Sequence, residues 1–244
     1  MPDDKLSVVI PAYNEEQFIG TLLERVLAVD LSRFGLTAQV IVVDDRSKDR
    51  TAEIVRRFPS VTLRTHEQNQ GKGGAVRTGL ALAEGKYIII QDADLEYDPN
   101  DYIPMLTAIL EPGVDAVYGS RYLKHPGRGV IVNLLTGKHP DQSLPAFVGG
   151  QSLSFAALLF TGRYLTDTVT ALKLFKYDVI KPLDLKTSGF ELDHEISAKL
   201  LAAGRVIREV PIKYFPRSRE EGKKIGFKDW VAAIRTFARF RNGS

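Results

Sequence analysis

Short apolar runs alternate with amphipathic stretches through the first half of the chain. Leu6–Ile10, Val40–Val43, Val61–Thr65, Tyr87–Ile90 and Asp115–Gly119 are brief and largely apolar, the form strands take when a parallel sheet covers both their faces. Between them, Phe18, Leu22, Val26 and Val29 recur at helical spacing. Asn14 with Gln17 reads as the capping box of that helix. Asp49 is expected to cap a helix through Phe58, and Asn69–Gly74 a Gly-rich loop opening a helix over Ala75–Ala83. Asp98-Pro99 marks the start of a helix running to about Leu110. Polar residues repeatedly follow a strand's C-terminal end. The pattern predicts an α/β fold, an open and mostly parallel sheet flanked by helices, with ligands along its C-terminal edge.

The second half is less regular. Leu123–Ser143 has no periodicity and is expected to be a mobile loop, a lid in character. Leu144–Phe160 reads as a helix with a broad apolar face, Ala171–Phe175 as a strand, and Asp193–Ala203 as a helix stopped by Gly204. Val206–Tyr214 alternates and ends the sheet. Pro216–Gly226 is a charged loop before a last helix, Phe227–Arg241. No linker or repeat divides the chain, so residues 1–244 are expected to form a single domain.

The 244 residues are 44% hydrophobic and 26% charged and include no cysteine, which excludes disulfides and a thiol nucleophile. The four histidines show no zinc spacing. No apolar stretch is long enough to span a bilayer, and the acidic start MPDDKLSVVIP is not a signal peptide. A cytoplasmic protein is expected. Residues 1–120 hold 12 Lys+Arg against 19 Asp+Glu, a balance of −7, and the remainder 21 against 11, a balance of +10. An acidic half suited to a metal therefore adjoins a basic half suited to phosphates or an anionic membrane.

YIIIQDADLEYD at 87–98 concentrates the candidate chemistry. Asp92, Asp94 and Glu96 at i, i+2 and i+4 would share one face if the strand stayed extended. Hard carboxylate oxygens suit Mg²⁺ or Mn²⁺, which bind through one or two carboxylates plus substrate phosphates.

VVIPAYNEE at 8–16, VVDDRSKD at 42–49, NQGKGGAVRTG at 69–79 and QDADLEYDP at 91–99 together resemble inverting glycosyltransferases of family 2, with the GT-A fold. GSRY at 119–122, TDTVTALKLFK at 166–176, GFELDHEISAKLLAAG at 189–204 and EVPIKYFPRSREEGKKIGFKDW at 209–230 resemble the dolichyl-phosphate mannose synthase branch. The resemblance implies a single Rossmann-like domain. Residues 1–120 would bind nucleotide-sugar and metal, 121–226 the acceptor, and 227–241 would be a C-terminal amphipathic helix. It places Pro11, Tyr13 and Glu15 at the base and ribose, with Asp45 as a further base or ribose contact and Asp44 supporting it. Lys72 would meet a donor phosphate, its glycine neighbours letting backbone approach the donor. Asp92 and Asp94 would hold the metal on the diphosphate, with Ala93 between them at the donor. Glu96 stands where relatives often carry Gln, which leaves its ligation open. Arg121 and Arg217 resemble arginines that contact the donor diphosphate or the acceptor phosphate. Asp193 falls where many members carry an acidic base. His194, with no paired histidine nearby, reads as a surface residue or one behind the metal's ligands before it reads as a ligand, which leaves its ligation open as well.

The implied reaction is displacement at the anomeric carbon, with a nucleoside diphosphate leaving from a GDP- or UDP-sugar. A lipid phosphate is already an anion and attacks directly; a sugar hydroxyl needs a base. The branch favours polyprenyl phosphate. The alternatives are a family 2 transferase building polysaccharide or another glycoside, an enzyme resembling glucosyl-3-phosphoglycerate synthase, and a nucleotide-binding module without transferase activity. The last is disfavoured because no G-x-G-x-x-G follows the first strand. No nucleic-acid partner is expected. Phe227, Trp230, Val231, Ile234, Phe237 and Ala238 line one side of the last helix, and Lys228, Arg235 and Arg239, with Lys224 just before it, the other. That pattern suits peripheral contact with the cytoplasmic face of a membrane.

Overall fold

The computed structural model describes residues 2–123, 144–216 and 227–241. Its centre is a seven-stranded sheet: β1 Asp3–Ala12, β2 Thr37–Asp44, β3 Val61–Thr65, β4 Gly85–Ile90, β5 Ala116–Ser120, β6 Lys173–Lys176 and β7 Ile207–Pro211. The order is β3-β2-β1-β4-β6-β5-β7. β1 pairs in parallel with β2 and β4, as β2 does with β3. β6 runs antiparallel to both its neighbours, and β7 is parallel to β5. At the sheet's C-terminal edge Gly119 N donates to Leu172 O at 2.9 Å, and β6 enters from that edge and runs back between β4 and β5.

The helices are α1 Ile19–Leu27, α2 Thr51–Val55, α3 Gly71–Leu82, α4 Tyr102–Ile109, α5 Leu144–Thr161, α6 Tyr177–Ile180, α7 Leu192–Ala202 and α8 Phe227–Phe240. Strand alternation splits the core. Leu6, Val8, Ile10, Val40 and Val42 pack with α1 and α4 on one face, while Val9, Ile41, Val43, Ile88 and Ile90 pack with α3 and α7 on the other. A further layer lies outside α7, where Ala198 meets Ala156 and Ala157 of α5 and Phe237 and Phe240 of α8. With sheet on one side and two helices on the other, α7 is buried from Leu192 to Leu201.

Three local expectations are corrected. Asn14 does not cap α1, which starts at Ile19 after Phe18; it adopts φ 55°, and its Oδ1 accepts from Lys48 N at 2.8 Å, tying the β1–α1 loop to the loop after β2. Helix α3 begins at Gly71, not Ala75, so the Gly-rich segment is its first turn. Asp49 accepts from Thr51 N at 3.0 Å ahead of a helix that ends at Val55, short of Phe58. By contrast, Asp98 accepts from Asn100 N, as expected of a cap, and Gly204 ends α7's turn at φ 69°. The segment expected to be a lid lies outside the described residues, apart from Leu123, as does the charged loop from Arg217 to Gly226.

The last helix differs most. Its apolar face is core: Ala233, Phe237 and Phe240 are buried, and Trp230 Nε1 donates to Ser152 Oγ on α5 at 2.8 Å. Arg235 and Arg239 do face outward. The side chains of Phe227 and Lys228, and all of Lys224, lie outside the described residues. No described helix is long and apolar enough to cross a membrane.

Candidate active site

Four charged side chains from four elements form a chain at the sheet's C-terminal edge. Period-2 alternation turns Lys173 of β6 to the same face as Phe175, toward α7. There it is fully buried, and its Nζ meets Asp193 Oδ1 at 2.8 Å and the Thr170 carbonyl. The Tyr118 ring lies 5.0 Å below it. Asp193, in the first turn of α7, gives its other oxygen to Lys72 Nζ at 3.2 Å. Lys72, from the first turn of α3, also reaches Asp92 Oδ1 at 2.9 Å. The series Lys173–Asp193–Lys72–Asp92 alternates in sign, runs from a sealed end to one that reaches solvent, and joins β6, α7, α3 and the β4 terminus.

The charges are mutually dependent. Burial alone pushes the Asp193 carboxyl up, but Lys173 and Lys72 outweigh it and hold the group at about 2. Burial also works against the Lys72 ammonium, which Asp193 and Asp92 keep protonated well above its ordinary range. For Lys173 burial wins and the pKa is lowered. Asp193 is thus an ionised carboxylate with both oxygens engaged. A group so acidic is a weak proton acceptor at neutral pH.

The Gly-rich turn is fixed by the protein itself. Gly73 N donates to Ser188 O at 2.7 Å. A Cβ on Gly73 would lie 2.6 Å from the Thr187 carbonyl, and one on Gly71, at φ +78°, would run into that of Ser188. The glycines are therefore required where α3 meets the segment leading into α7. Asp45 secures the same turn: its Oδ1 accepts from Gln70 N and its Oδ2 from Gly71 N, each at 2.8 Å. His66 Nδ1 lies 2.7 Å from Asp45 Oδ1 and His66 Nε2 2.9 Å from Thr78 Oγ1. The residue expected at the base or ribose thus holds loop backbone in this structure. Its neighbour Asp44, expected to support it, is buried with Oδ1 lacking a protein partner and pairs in register with Ala12.

Pro11 is buried at the end of β1, Tyr13 half-buried beyond it, and Glu15 buried with its N–H donating to Thr51 Oγ1 at 2.9 Å. The strand expected to carry three acids on one face ends at Ile90, and Leu95 takes φ 60°, so the acids diverge. Ala93 is buried between Asp92 and Asp94. Asp94 Oδ1 accepts from Glu96 N at 3.2 Å, and Tyr214 OH donates to Glu96 Oε2 at 3.3 Å. Among the described residues no three potential metal-ligating side chains converge. Asp92 and Asp94 remain as two hard carboxylates at a strand end, which fits an ion that completes its shell with diphosphate oxygens and water.

Arg121, after β5, closes a two-point fork on Asp167, Nε to Oδ2 at 2.6 Å and Nη2 to Oδ1 at 2.7 Å. Its guanidinium sits over Tyr122 and Tyr214. Glu209 lies behind, accepting from Thr166 N, Thr166 Oγ1 and Asp167 N; burial, and then Asp167, push its carboxyl to about 7. Arg121 is thus absorbed into a strut, and Arg217 lies outside the described residues. His194 meets the Phe237 ring at 5.2 Å, and burial lowers it to about 4. Glu195 caps Lys186 N and Thr187 N, so the acids around Asp193 do not cluster, as helical spacing implies.

Sequence reasoning missed Lys173, Asp167, Glu209 and His66. The one available signal was a lysine inside ALKLF, a segment otherwise apolar enough to be a buried strand, where an ammonium requires a partner.

The sequence matches the model of glycosyl transferase family 2 over residues 7–163. It is 30% identical to the UDP-N-acetylglucosamine–dolichyl-phosphate N-acetylglucosaminyltransferase of Methanococcus voltae, covering 93% of this chain and 94% of that one. It is also 30% identical to the dolichol-phosphate mannosyltransferase of Pyrococcus furiosus, over 91% of this chain and 60% of the relative. The fold is similar to that of glucosyl-3-phosphoglycerate synthase from Mycobacterium tuberculosis, solved in complex with Mn²⁺, UDP and phosphoglyceric acid. The TM-score is 0.65 at 19% identity, with 98% of this chain and 79% of that one covered.

Proposed function

The chain belongs to glycosyl transferase family 2 and is a glycosyltransferase of GT-A fold, and from that premise we propose that it transfers a sugar from a GDP- or UDP-sugar to a polyprenyl phosphate, with inversion. One observation carries the choice of acceptor. Asp193, the carboxylate placed for a base, is ionised, buried and held by two ammonium groups. An acceptor that arrives deprotonated has no need of a base; a hydroxyl does. The two relatives named for dolichyl-phosphate or dolichol-phosphate transfer support the reading.

In this reading Tyr13 and Glu15 flank the nucleoside. Asp92 and Asp94 would hold Mg²⁺ or Mn²⁺, which when bound spreads the charge developing on the diphosphate. Lys72, already poised between two carboxylates, turns its ammonium to the leaving diphosphate. An oxygen of the lipid phosphate attacks the anomeric carbon as the bond to the diphosphate breaks, and the nucleoside diphosphate departs with that electron pair. No proton is moved. Lys173 keeps Asp193 charged, and Asp193 holds the Lys72 ammonium at the reacting centre.

The test is a competition. UDP- and GDP-sugars are offered with Mn²⁺ to a short-chain polyprenyl phosphate, a sugar acceptor and 3-phosphoglycerate. Label is expected on the polyprenyl phosphate. Label only on 3-phosphoglycerate or on a sugar would overturn the reading.

A further inference from the structure

Helix α5 is apolar on two opposite sides, and among the described residues only one is covered. Its 18 residues, LPAFVGGQSLSFAALLFT, include no charged side chain. Leu153, Ala156 and Ala157 turn inward, Ala156 and Ala157 against α7 and α8. Leu144, Val148, Phe155 and Leu159 are exposed at 62%, 57%, 56% and 69%. Spacings of four, seven and four residues set them in one stripe on the outward side. They are four of the nine large hydrophobic side chains exposed in the described residues, so the concentration is local. A helix apolar all round is ordinarily buried all round, and a contiguous apolar strip of this kind marks a contact surface.

The surroundings select the partner. Arg163 follows the helix and is exposed, as are Arg235, Arg239 and Arg241 on and after α8, the helix seated against α5 through Trp230 and Ser152. Residues 121–244 carry the chain's positive balance. An uncharged apolar stripe on a helix whose neighbour carries outward arginines complements an anionic lipid surface: the stripe enters the acyl boundary and the guanidinium groups meet headgroup phosphates. A second copy of the chain would bring the same arginines against their own kind.

We propose that the outward face of α5, together with the exposed Arg235 and Arg239 of the adjoining α8, docks the protein on an anionic membrane. The proposal rests on the polyprenyl-phosphate reading only for its purpose, which is to bring the site to an acceptor whose tail stays in the bilayer. It moves membrane contact from the apolar face of the last helix, which is core, to α5, leaving that helix to supply the charge.

The experiment is flotation with phosphatidylcholine vesicles, with and without phosphatidylglycerol. Wild type, Phe155→Ser/Leu159→Ser and Arg235→Glu/Arg239→Glu are compared. All four positions face outward, so thermal melts of the variants should match wild type. Salt-sensitive flotation with the anionic vesicles, reduced about tenfold or more in each double variant, is expected. No flotation with either vesicle, or flotation unchanged by Phe155→Ser/Leu159→Ser, would overturn the proposal. So would a wild-type dimer that this variant converts to monomer without any lipid binding. Transfer to a detergent-solubilised short-chain polyprenyl phosphate, run in parallel, separates the two readings. Normal flotation with no transfer removes the acceptor assignment and leaves the docking surface standing.

Discussion

Arg121 and Asp167 meet as a planar fork on a carboxylate, two bonds in one direction, with Asp167 wholly buried and Glu209 closing the back. Lys72 instead divides a single ammonium between Asp92 and Asp193, and the Asp92 side chain is 24% exposed. Both clusters stand at the same edge of the sheet, yet only one is built to change partners. A bidentate guanidinium pair is directional and costly to open in a desolvated site. A lysine on a flexible stem exchanges one anion for another with little rearrangement. The geometry makes the Lys72 cluster the one able to exchange an anion and the Arg121 cluster a strut between β5 and the segment leading to β6, although the motifs marked both for phosphate.

Breaking the exchanging cluster at its open end should have the largest effect. Asp92→Asn or Asp94→Asn is expected to lower turnover about a thousandfold or more, in line with loss of a metal ligand, with an unchanged circular dichroism spectrum. EDTA should abolish activity in the wild type and Mn²⁺ restore it. Full activity in EDTA would remove these residues from the donor site. Next, Asp167→Asn opens the fork and strands Arg121. Urea unfolding should show a loss of about 3 to 5 kcal/mol, with the affinity for UDP or GDP retained. Lys72→Met should reverse that order, costing transfer more than stability. If the two variants behave alike, the distinction between strut and exchanger is wrong.

The strut also carries a pH signature. Burial raises Glu209 to about 7 from an ordinary 4.5, so the folded state binds its proton more tightly than the unfolded chain. Its contribution is fully present below pH 4.5 and lost as pH rises to 7. Asp101, raised by burial to about 6, adds to the slope, and His194, lowered to about 4, opposes it. The difference between wild type and Glu209→Gln isolates the Glu209 share, about 3 kcal/mol at most, in urea titrations across that range. A difference that does not vary with pH would contradict a protonated Glu209.

Legibility in the sequence followed the same division. The βα units up to Ser120 were readable because strand, helix and terminal polar residues recur in a fixed order, and the carboxylates fell at strand ends where that order puts them. Periodicity says nothing of strand direction, so the reversal of β6 was hidden. It also says nothing of what a carboxylate is already bonded to. Asp45 carries a motif position but serves the Gly-rich turn, and Lys173 lies in a strand whose pattern does not reveal the α7 carboxylate above it. The apolar face of the last helix was misread for a related reason. Amphipathicity in α8 marked its core face, whereas α5, apolar on opposite sides, has no polarity contrast to betray which side is left uncovered.

The smallest effect on transfer is expected at Asp193. With an acceptor that is already an anion, Asp193→Asn should reduce transfer to polyprenyl phosphate by about tenfold or less, through misplacement of Lys72 rather than loss of a base. Near-complete loss of transfer with intact donor affinity would return Asp193 to the role of a base for a hydroxyl.

The configuration of the product tests the central claim most directly. Nuclear magnetic resonance of the sugar phosphate formed from an α-linked UDP- or GDP-sugar and a short-chain polyprenyl phosphate reports which face of the anomeric carbon was attacked. The account predicts a β-linked glycosyl phosphate, the outcome of one in-line displacement by the lipid phosphate. An α-linked product, or sugar found only on a hydroxyl, would contradict it.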